Sequence, residues 1–318
     1  MKLRTIAAVT FAAGLVLAAC GSDDKSDTTS APSTAAAATT AAPAATTAAA
    51  ATTTAGGAAT SAAGSTPSAD SATLAKATSR GHLIIGVKED QPNLGYKDPT
   101  TGEYSGFDIE IARLMASGLG FDPAKIEYKA IPSASREDEI SAGNIDYYVG
   151  TYSITDSHKQ RVSFAGPYFI AGQDLLVRKD DTSITGPDSL KGKTTCSVTG
   201  STSLKRIKEE YGGDTVELEK YSLCVDQLLD KQVDAVTTDD AILKGYAAQD
   251  PDHLKVVGKP FSEERYGIGL AKGDVGLCTQ LNTLLEKARS DGSWQKIYDE
   301  TLGKSGSTAT QPPADPCS

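Results

Sequence analysis

Between residues 74 and 303, short apolar runs rich in β-branched residues alternate with longer stretches in which large apolar residues recur every three or four positions. The short runs at 83–87, 126–130, 145–150, 174–178, 194–198, 216–218, 233–237, 254–257 and 266–271 predict strands. Phe107, Ile111, Leu114 and Met115 stripe one helical face that Gly118 and Gly120 close, and Trp294, Ile297, Tyr298 and Leu302 stripe a last helix. Ser135 and Asp138 stand at capping-box spacing where another helix begins. Strands alternating with helices predict an α/β fold with largely parallel sheets. The stripes are core packing and carry no ligand role.

Outside this region the pattern stops. Lys2 and Arg4 precede an apolar run at 6–17 that leads into Leu17-Ala18-Ala19-Cys20. A dozen apolar residues are too few to span a bilayer core of about 30 Å but suit an export signal. Residues 1–19 therefore read as a cleaved signal peptide, and Cys20 resembles a lipobox cysteine that receives a diacylglyceryl group. From 22 to 72 no apolar residue is larger than Ala, so the segment has too little to bury to offset its ordering entropy. Residues 20–73 are expected to form a disordered tether with an r.m.s. span of roughly 40 Å. The tail, 304–318, is again rich in Pro, Ser and Thr, with Cys317 expected to pin it back.

The formal charge is −10, with no Lys/Arg cluster in the folded part, which argues against nucleic acid and against an anionic membrane surface as ligand. Membrane contact is expected through the lipid alone. Five cysteines leave an odd one in an exported chain, and lipidation of Cys20 accounts for it. The other four allow three pairings. Cys196–Cys224 is favoured because both fall in one βα region, and Cys278–Cys317 because they bracket the C-terminal end. No nucleophile elbow, metalloprotease helix, phosphate loop or His/Cys cluster is present, so neither metal nor cofactor is expected. The acidic pairs Asp138/Glu139 and Glu263/Glu264 read as solvated faces.

Three segments carry a resemblance. They are Gly86-Val87-Lys88 followed by Gly106-Phe107-Asp108-Ile109-Glu110-Ile111; Gly150-Thr151-Tyr152-Ser153-Ile154-Thr155-Asp156 running to Phe164-Ala165-Gly166-Pro167-Tyr168; and Val233-Asp234-Ala235-Val236-Thr237-Thr238-Asp239. In this order they resemble family 3 of the extracellular solute-binding proteins, the polar amino-acid receptors of ABC importers, over residues 80–303. The resemblance implies a two-lobed, type II periplasmic-binding-protein-like fold, each lobe a mixed, mostly parallel sheet flanked by helices. Lobe 1 would comprise 74–169 and 266–303, and lobe 2 about 174–259. Hinge connectors would lie near 170–173 and 260–265. Such a receptor closes as a monomer on one small molecule and hands it to an ABC permease.

A zwitterion loses water when the lobes shut, so each of its charges needs a partner. Asp239, at the C-terminal end of a predicted strand, matches the family's acceptor for the α-ammonium; a helix N-cap is the plainer alternative. Gly200-Ser201-Thr202 precedes a predicted helix, which aims backbone N–H groups and the Thr202 hydroxyl at a carboxylate. Ser153 and Thr151 match further hydrogen-bonding positions. Where the family places a carboxylate-clamping Arg, three residues after the Thr of Ser-Ile-Thr, this chain has His158, and Arg161 is expected to face elsewhere. Histidine cannot reproduce a guanidinium fork. Either His158 binds the carboxylate as imidazolium, with affinity falling as pH rises through roughly 6 to 7.5, and Thr202 carries more of the load, or the ligand is not an ordinary α-amino acid. A third alternative leaves His158 in a solvated loop. Arg136 matches the position that grips the distal carboxylate in glutamate and aspartate receptors, or else simply starts a solvated helix. Lys88 matches a second cation, and Gln91 and Ser133 stand where other receptors have aromatic walls.

The resulting expectation is a lipid-anchored extracytoplasmic receptor for glutamate or aspartate that serves an ABC importer and is not an enzyme. The alternatives are a receptor for glutamine or asparagine, an amino-acid sensor lipoprotein, and an enzyme resembling the cyclohexadienyl dehydratases.

Overall fold

The computed structural model of the protein describes residues 71–305 and 307–317. The signal segment, Cys20 and tether residues 20–70 lie outside the described residues. Regular structure begins earlier than expected. Ser71 caps helix α1 (Ala72–Arg80) by accepting from Leu74 N, and its hydroxyl donates to Asp274 at 2.8 Å.

In chain order the strands are β1 (Ile84–Val87), β2 (Tyr96–Lys97), β3 (Tyr104–Ser105), β4 (Glu127–Ala130), β5 (Tyr147–Val149), β6 (Ser163–Ala171), β7 (Gln173–Arg178), β8 (Thr194–Val198), β9 (Asp214–Leu218), β10 (Ala235–Asp239), β11 (Leu254–Val256) and β12 (Glu264–Leu270). One five-stranded sheet has the order β4-β1-β5-β12-β6 and the other β11-β7-β10-β8-β9, while β2 and β3 form a hairpin. Each large sheet has two parallel and two antiparallel pairings, so the expected parallel majority is absent. The cause is the double crossing between lobes. The outgoing β6 and returning β12 lie side by side, with Ala171 opposite Glu264, and a returning strand must run antiparallel.

Only Gly172 separates β6 from β7, and a Cβ there would stand 2.7 Å from Ser262 O on the returning segment. Glycine is required where the two crossing strands come this close.

The helices bury their predicted stripes. α2 (Phe107–Gly118) inserts Phe107, Ile109, Ile111 and Met115, each worth about 1.5–3 kcal/mol of transfer free energy, against the first sheet. Phe107 lies amid Tyr168, Phe169, Trp294 and Tyr298 at centroid distances of 5.5–6.1 Å. The last two come from α9 (Ser293–Glu300). Helix α3 (Arg136–Ser141) differs from expectation, because Ser135 makes no capping bond. It ends a preceding 3-10 turn, and its φ of −110° and ψ of −5° do not turn the hydroxyl onto the helix N–H groups. The remaining helices are α4 (Asp156–Lys159), α5 (Thr202–Arg206), α6 (Tyr221–Leu229), α7 (Asp240–Gln249) and α8 (Val275–Asp291). α8 packs on the first sheet, and α6 and α7 on the second.

Both favoured disulfides are formed. Cys196–Cys224 ties β8 to α6 within lobe 2, and Cys278–Cys317 holds the tail on α8. There Gln311 donates to Leu285 O and Asp315 pairs with Arg265.

Cys196 and Cys224 are 28 residues apart, for which chain-entropy arguments give about 3.5 kcal/mol of stabilisation. Replacing both by Ser is expected to lower the urea midpoint by a comparable free energy, and a loss under about 1 kcal/mol would contradict this.

Candidate functional site

Strand β10 runs through the middle of its sheet and delivers Asp239 to its C-terminal end. The residue stands at the N-terminus of α7 without capping it, which removes the plainer alternative. Its Oδ2 accepts from Tyr266 Oη at 2.7 Å, while its Oδ1 is buried with no hydrogen-bond partner at bonding distance among the described residues, the Ser203 side chain being a nearby polar group that moderates its pKa. Burial, then the neighbouring Glu264 carboxylate, push its pKa up to about 8. A carboxyl in this condition is one cation short of a satisfied environment.

Asp239 shares a narrow cleft with Ser201, Thr202, Ser203, Tyr221, Thr238 and Ile242 on one wall, and with Ser133, Arg136, Thr151 and Ser153 on the other. The walls belong to different lobes and touch. Arg136 Nη2 donates to Gly200 O at 3.3 Å, Lys220 pairs with Glu89 at 2.6 Å, and Ser222 N donates to Asp90 Oδ2 at 3.1 Å. Gly200 has φ +78°, and a Cβ on it would lie 2.7 Å from Ala134 Cα, so this contact needs glycine.

Arg136 is buried and held on several sides. Its guanidinium lies 3.9 Å from the centroid of Tyr152, its Nε faces Glu137 Oε1 at 3.3 Å, and its Nη2 faces His158 Nε2 at 3.3 Å. Burial raises the Glu137 carboxyl, but Arg136 and the 2.6 Å bond from Tyr152 Oη outweigh it and leave Glu137 below its usual range. His158 itself is absent from the cleft wall. It stands behind Arg136, beside a separate hollow lined by Thr155, Gly200 and Arg206. Burial, then Arg136, lower its pKa, so it is neutral near pH 7. The expected direct imidazolium grip on a carboxylate is therefore replaced by a contact to Arg136.

Lys88, also buried, donates to Ser133 Oγ at 2.8 Å, and no ion pair to it occurs among the described residues. Burial, then Arg136, bring its pKa down to about 7. It reaches the cleft through Ser133. Gln91 is fully buried and exchanges hydrogen bonds with Thr151 rather than lining the cleft. Thr151 has φ +49°, a strained conformation for a β-branched residue, and its N–H donates to Asp108 at 3.0 Å. The carbonyl of Ser153 accepts from His158 Nδ1 at 2.9 Å. The Thr202 hydroxyl donates to Glu264 at 3.2 Å, so it is already engaged, and Ser201 is the residue that caps α5.

Glu264 corrects the sequence reading. Far from being solvated, it is buried at the hinge and accepts from Ser262, Arg206 and Thr202. The signal was present, since Glu264, Tyr266, Ile268 and Leu270 share one strand face and the last three are core residues. Glu263, Asp138 and Glu139 are not buried, and Asp138 pairs with Arg161, away from the cleft. Asp108, whose carboxyl burial raises to about 7, was visible only as part of a motif. Tyr152, Tyr221 and Tyr266 carried no sequence signal distinguishing them from core tyrosines.

Two lobes joined by paired crossing strands, with a buried polar cleft between them, define a binding protein of the type II periplasmic class. Residues 83–304 match the family described as bacterial extracellular solute-binding proteins, family 3, and the chain belongs to that family. The glutamate-binding protein GluB of Corynebacterium efficiens is 38% identical over 242 residues, covering 73% of this chain and 82% of that protein. The ABC transporter glutamine-binding protein GlnH of Bacillus subtilis is 36% identical over 231 residues, covering 72% and 84%. Among solved structures, an ancestral arginine-binding protein bound to arginine is similar with a TM-score of 0.66 and 36% identity, covering 70% of this chain and 99% of that one.

Asp239 is protonated in the native state over a range where the unfolded chain has lost that proton, so the ligand-free protein should lose stability as pH rises from about 4 to about 8. Asp239→Asn is expected to flatten that part of the Tm-against-pH curve and to raise Tm at pH 8. An unchanged curve would show that Asp239 is not the titrating group.

Proposed function

We propose that the protein binds an acidic amino acid, glutamate or aspartate, by closure of its lobes and presents it to the permease of an ABC importer. The observation that carries this reading is a buried carboxyl set against two buried basic side chains. Asp239 has an unpartnered buried oxygen, and Arg136 and Lys88 are the two basic groups. Glutamate and aspartate carry the complementary set, one ammonium and two carboxylates. Arg136 already faces Glu137, whereas Lys88 has no ion pair among the described residues, so the distal carboxylate of an acidic ligand would favour its charged form and a neutral side chain would not.

The α-ammonium and α-carboxylate share one carbon, so the carboxylate partner must line the same cleft as Asp239. Arg136 does so and Lys88 lies behind Ser133. Arg136 is therefore assigned to the α-carboxylate and Lys88, with Ser133, to the distal one, which reverses the sequence expectation for Arg136. The relatives named for glutamate and glutamine agree with a ligand of this size and polarity. A dehydratase would need a further acid or base in the cleft, and among the described residues Asp239 is the one carboxyl on its walls. The signal segment, Cys20 and the long polar tether support an extracytoplasmic position on a lipid anchor, with the binding domain free to reach its permease.

A thermal-shift screen of the twenty amino acids should give its largest rises with glutamate and aspartate. In isothermal titration, Lys88→Met should weaken glutamate binding by at least about thirtyfold and change any glutamine binding by less than about threefold, whereas Arg136→Met should remove both. Equal loss of both ligands in Lys88→Met would remove Lys88 from the distal site, and a wild-type preference for glutamine would overturn the acidic assignment.

A further inference from the structure

His158 makes two ring hydrogen-bond contacts, beside the Tyr152 ring and a longer 3.8 Å approach of Nε2 to Glu137, and the two bonds set its tautomer. Nδ1 lies 2.9 Å from the Ser153 carbonyl oxygen, which can only accept, so Nδ1 carries the hydrogen. Nε2 lies 3.3 Å from Arg136 Nη2, which can only donate, so Nε2 presents a lone pair. The ring is locked as the neutral Nδ1–H tautomer between a cleft residue's backbone and the cleft's own guanidinium.

We propose that His158 is a positioning residue for ligand capture: its neutral ring holds the Arg136 guanidinium on the cleft wall and lets go of it on protonation, so that acid weakens binding. This rests on the amino-acid reading above and deepens it. The charged and titratable groups facing the ring are Arg136 and Glu137 from α3, Tyr152 from the preceding segment, Glu264 from β12, and, across the adjoining hollow, Lys205 and Arg206 from α5 with Lys208, Glu209 and Glu210 just after it.

Glu137 Oε1 is 3.8 Å from Nε2 and also bonds Tyr152 and Arg136. A proton on Nε2 removes the acceptor for Arg136, sets a second cation against the guanidinium, and competes for the Glu137 oxygen that orients Arg136 from the other side. Arg136 also spans to Gly200 O on the opposite lobe, so loosening it weakens lobe closure as well as ligand contact. The closed, ligand-bound form thus favours neutral His158, and by linkage protonation favours release.

The test uses the full folded domain with its disulfides and two readouts. Nitrogen NMR of the three histidines, with His158 assigned by its loss in His158→Gln, should show the Nδ1–H tautomer at about pH 7.5 without any ligand present. An Nε2–H ring or an imidazolium at that pH overturns the proposal independently of what the protein binds.

The second readout is glutamate affinity by titration calorimetry between about pH 7.5 and 5. His158→Leu should bind at least about thirtyfold more weakly at pH 7.5. His158→Gln, which can place an acceptor oxygen where Nε2 stands, should recover most of that loss. Asp239 and Lys88 also titrate, so the diagnostic quantity is the difference between wild type and His158→Gln, with wild type losing about tenfold more on acidification. Binding by His158→Gln as weak as by His158→Leu, or wild-type affinity that rises in acid relative to His158→Gln, overturns the proposal. Wild-type protein that binds no amino acid overturns the functional reading, leaving the tautomer result to decide the geometry by itself.

Discussion

The structure turns on a carboxylate that its own protein does not satisfy. Asp239 is 4% exposed, one oxygen is held by Tyr266 and the other by nothing among the described residues, and Glu264 lies near enough to make matters worse. With its pKa raised to about 8 the group keeps its proton near neutral pH, and ionising it while one oxygen lacks a partner would be strongly destabilising. The cost is tolerable here because Asp239 sits where two lobes meet and can be opened to water. A ligand ammonium relieves the strain only when both lobes surround it, so the binding energy is realised on closure and shifts the population of closed protein.

The positive side of the cleft is built differently. Arg136 is surrounded by Glu137, Tyr152 and His158, which neutralise, stack and orient it, so the guanidinium is in place before any anion arrives. Lys88 has only the Ser133 hydroxyl among the described residues, and burial has brought its pKa to about 7, so a neighbouring anion would restore its full charge. A preorganised clamp beside an adjustable cation is a division of labour that suits a ligand whose α-carboxylate is constant and whose distal group decides identity.

Much of this was readable from the sequence because fold and site depend on different kinds of signal. Strand runs such as 194–198 and the Phe107 stripe are enforced by burial along a whole element, and they appear as periodicity. The ends were less readable, as with Ser71, because one hydroxyl bonding Asp274 across 203 residues sets where the fold begins. β6 escaped the list of strands because Gly166 and Pro167 interrupt its pattern, yet it pairs with β12 through 163–165 and 169–171, on either side of a register shift. The parallel bias failed for a topological reason, since a chain that crosses between lobes and returns makes antiparallel neighbours whatever its local composition.

Site residues separate along the same line. Asp239, Arg136 and Ser153 were found by their match to the family and do line the cleft, whereas His158 was found by its oddity and contacts Arg136 from outside the cleft wall. Sequence order cannot reveal that relation. Arg136 and His158 are 22 residues apart, and their contact depends on α3 and the 151–158 segment lying against each other beneath the same sheet end. A histidine at a clamp position looks like a weakened clamp when read alone. Seen with Nδ1 bound to a carbonyl and Nε2 turned to a guanidinium, it is a neutral neighbour of Arg136, the cation that does line the cleft. The carboxylate-binding function can thus stay in place while the residue bearing it changes, because what the ligand requires is a fixed, desolvated cation beside Asp239, whichever strand or helix supplies it.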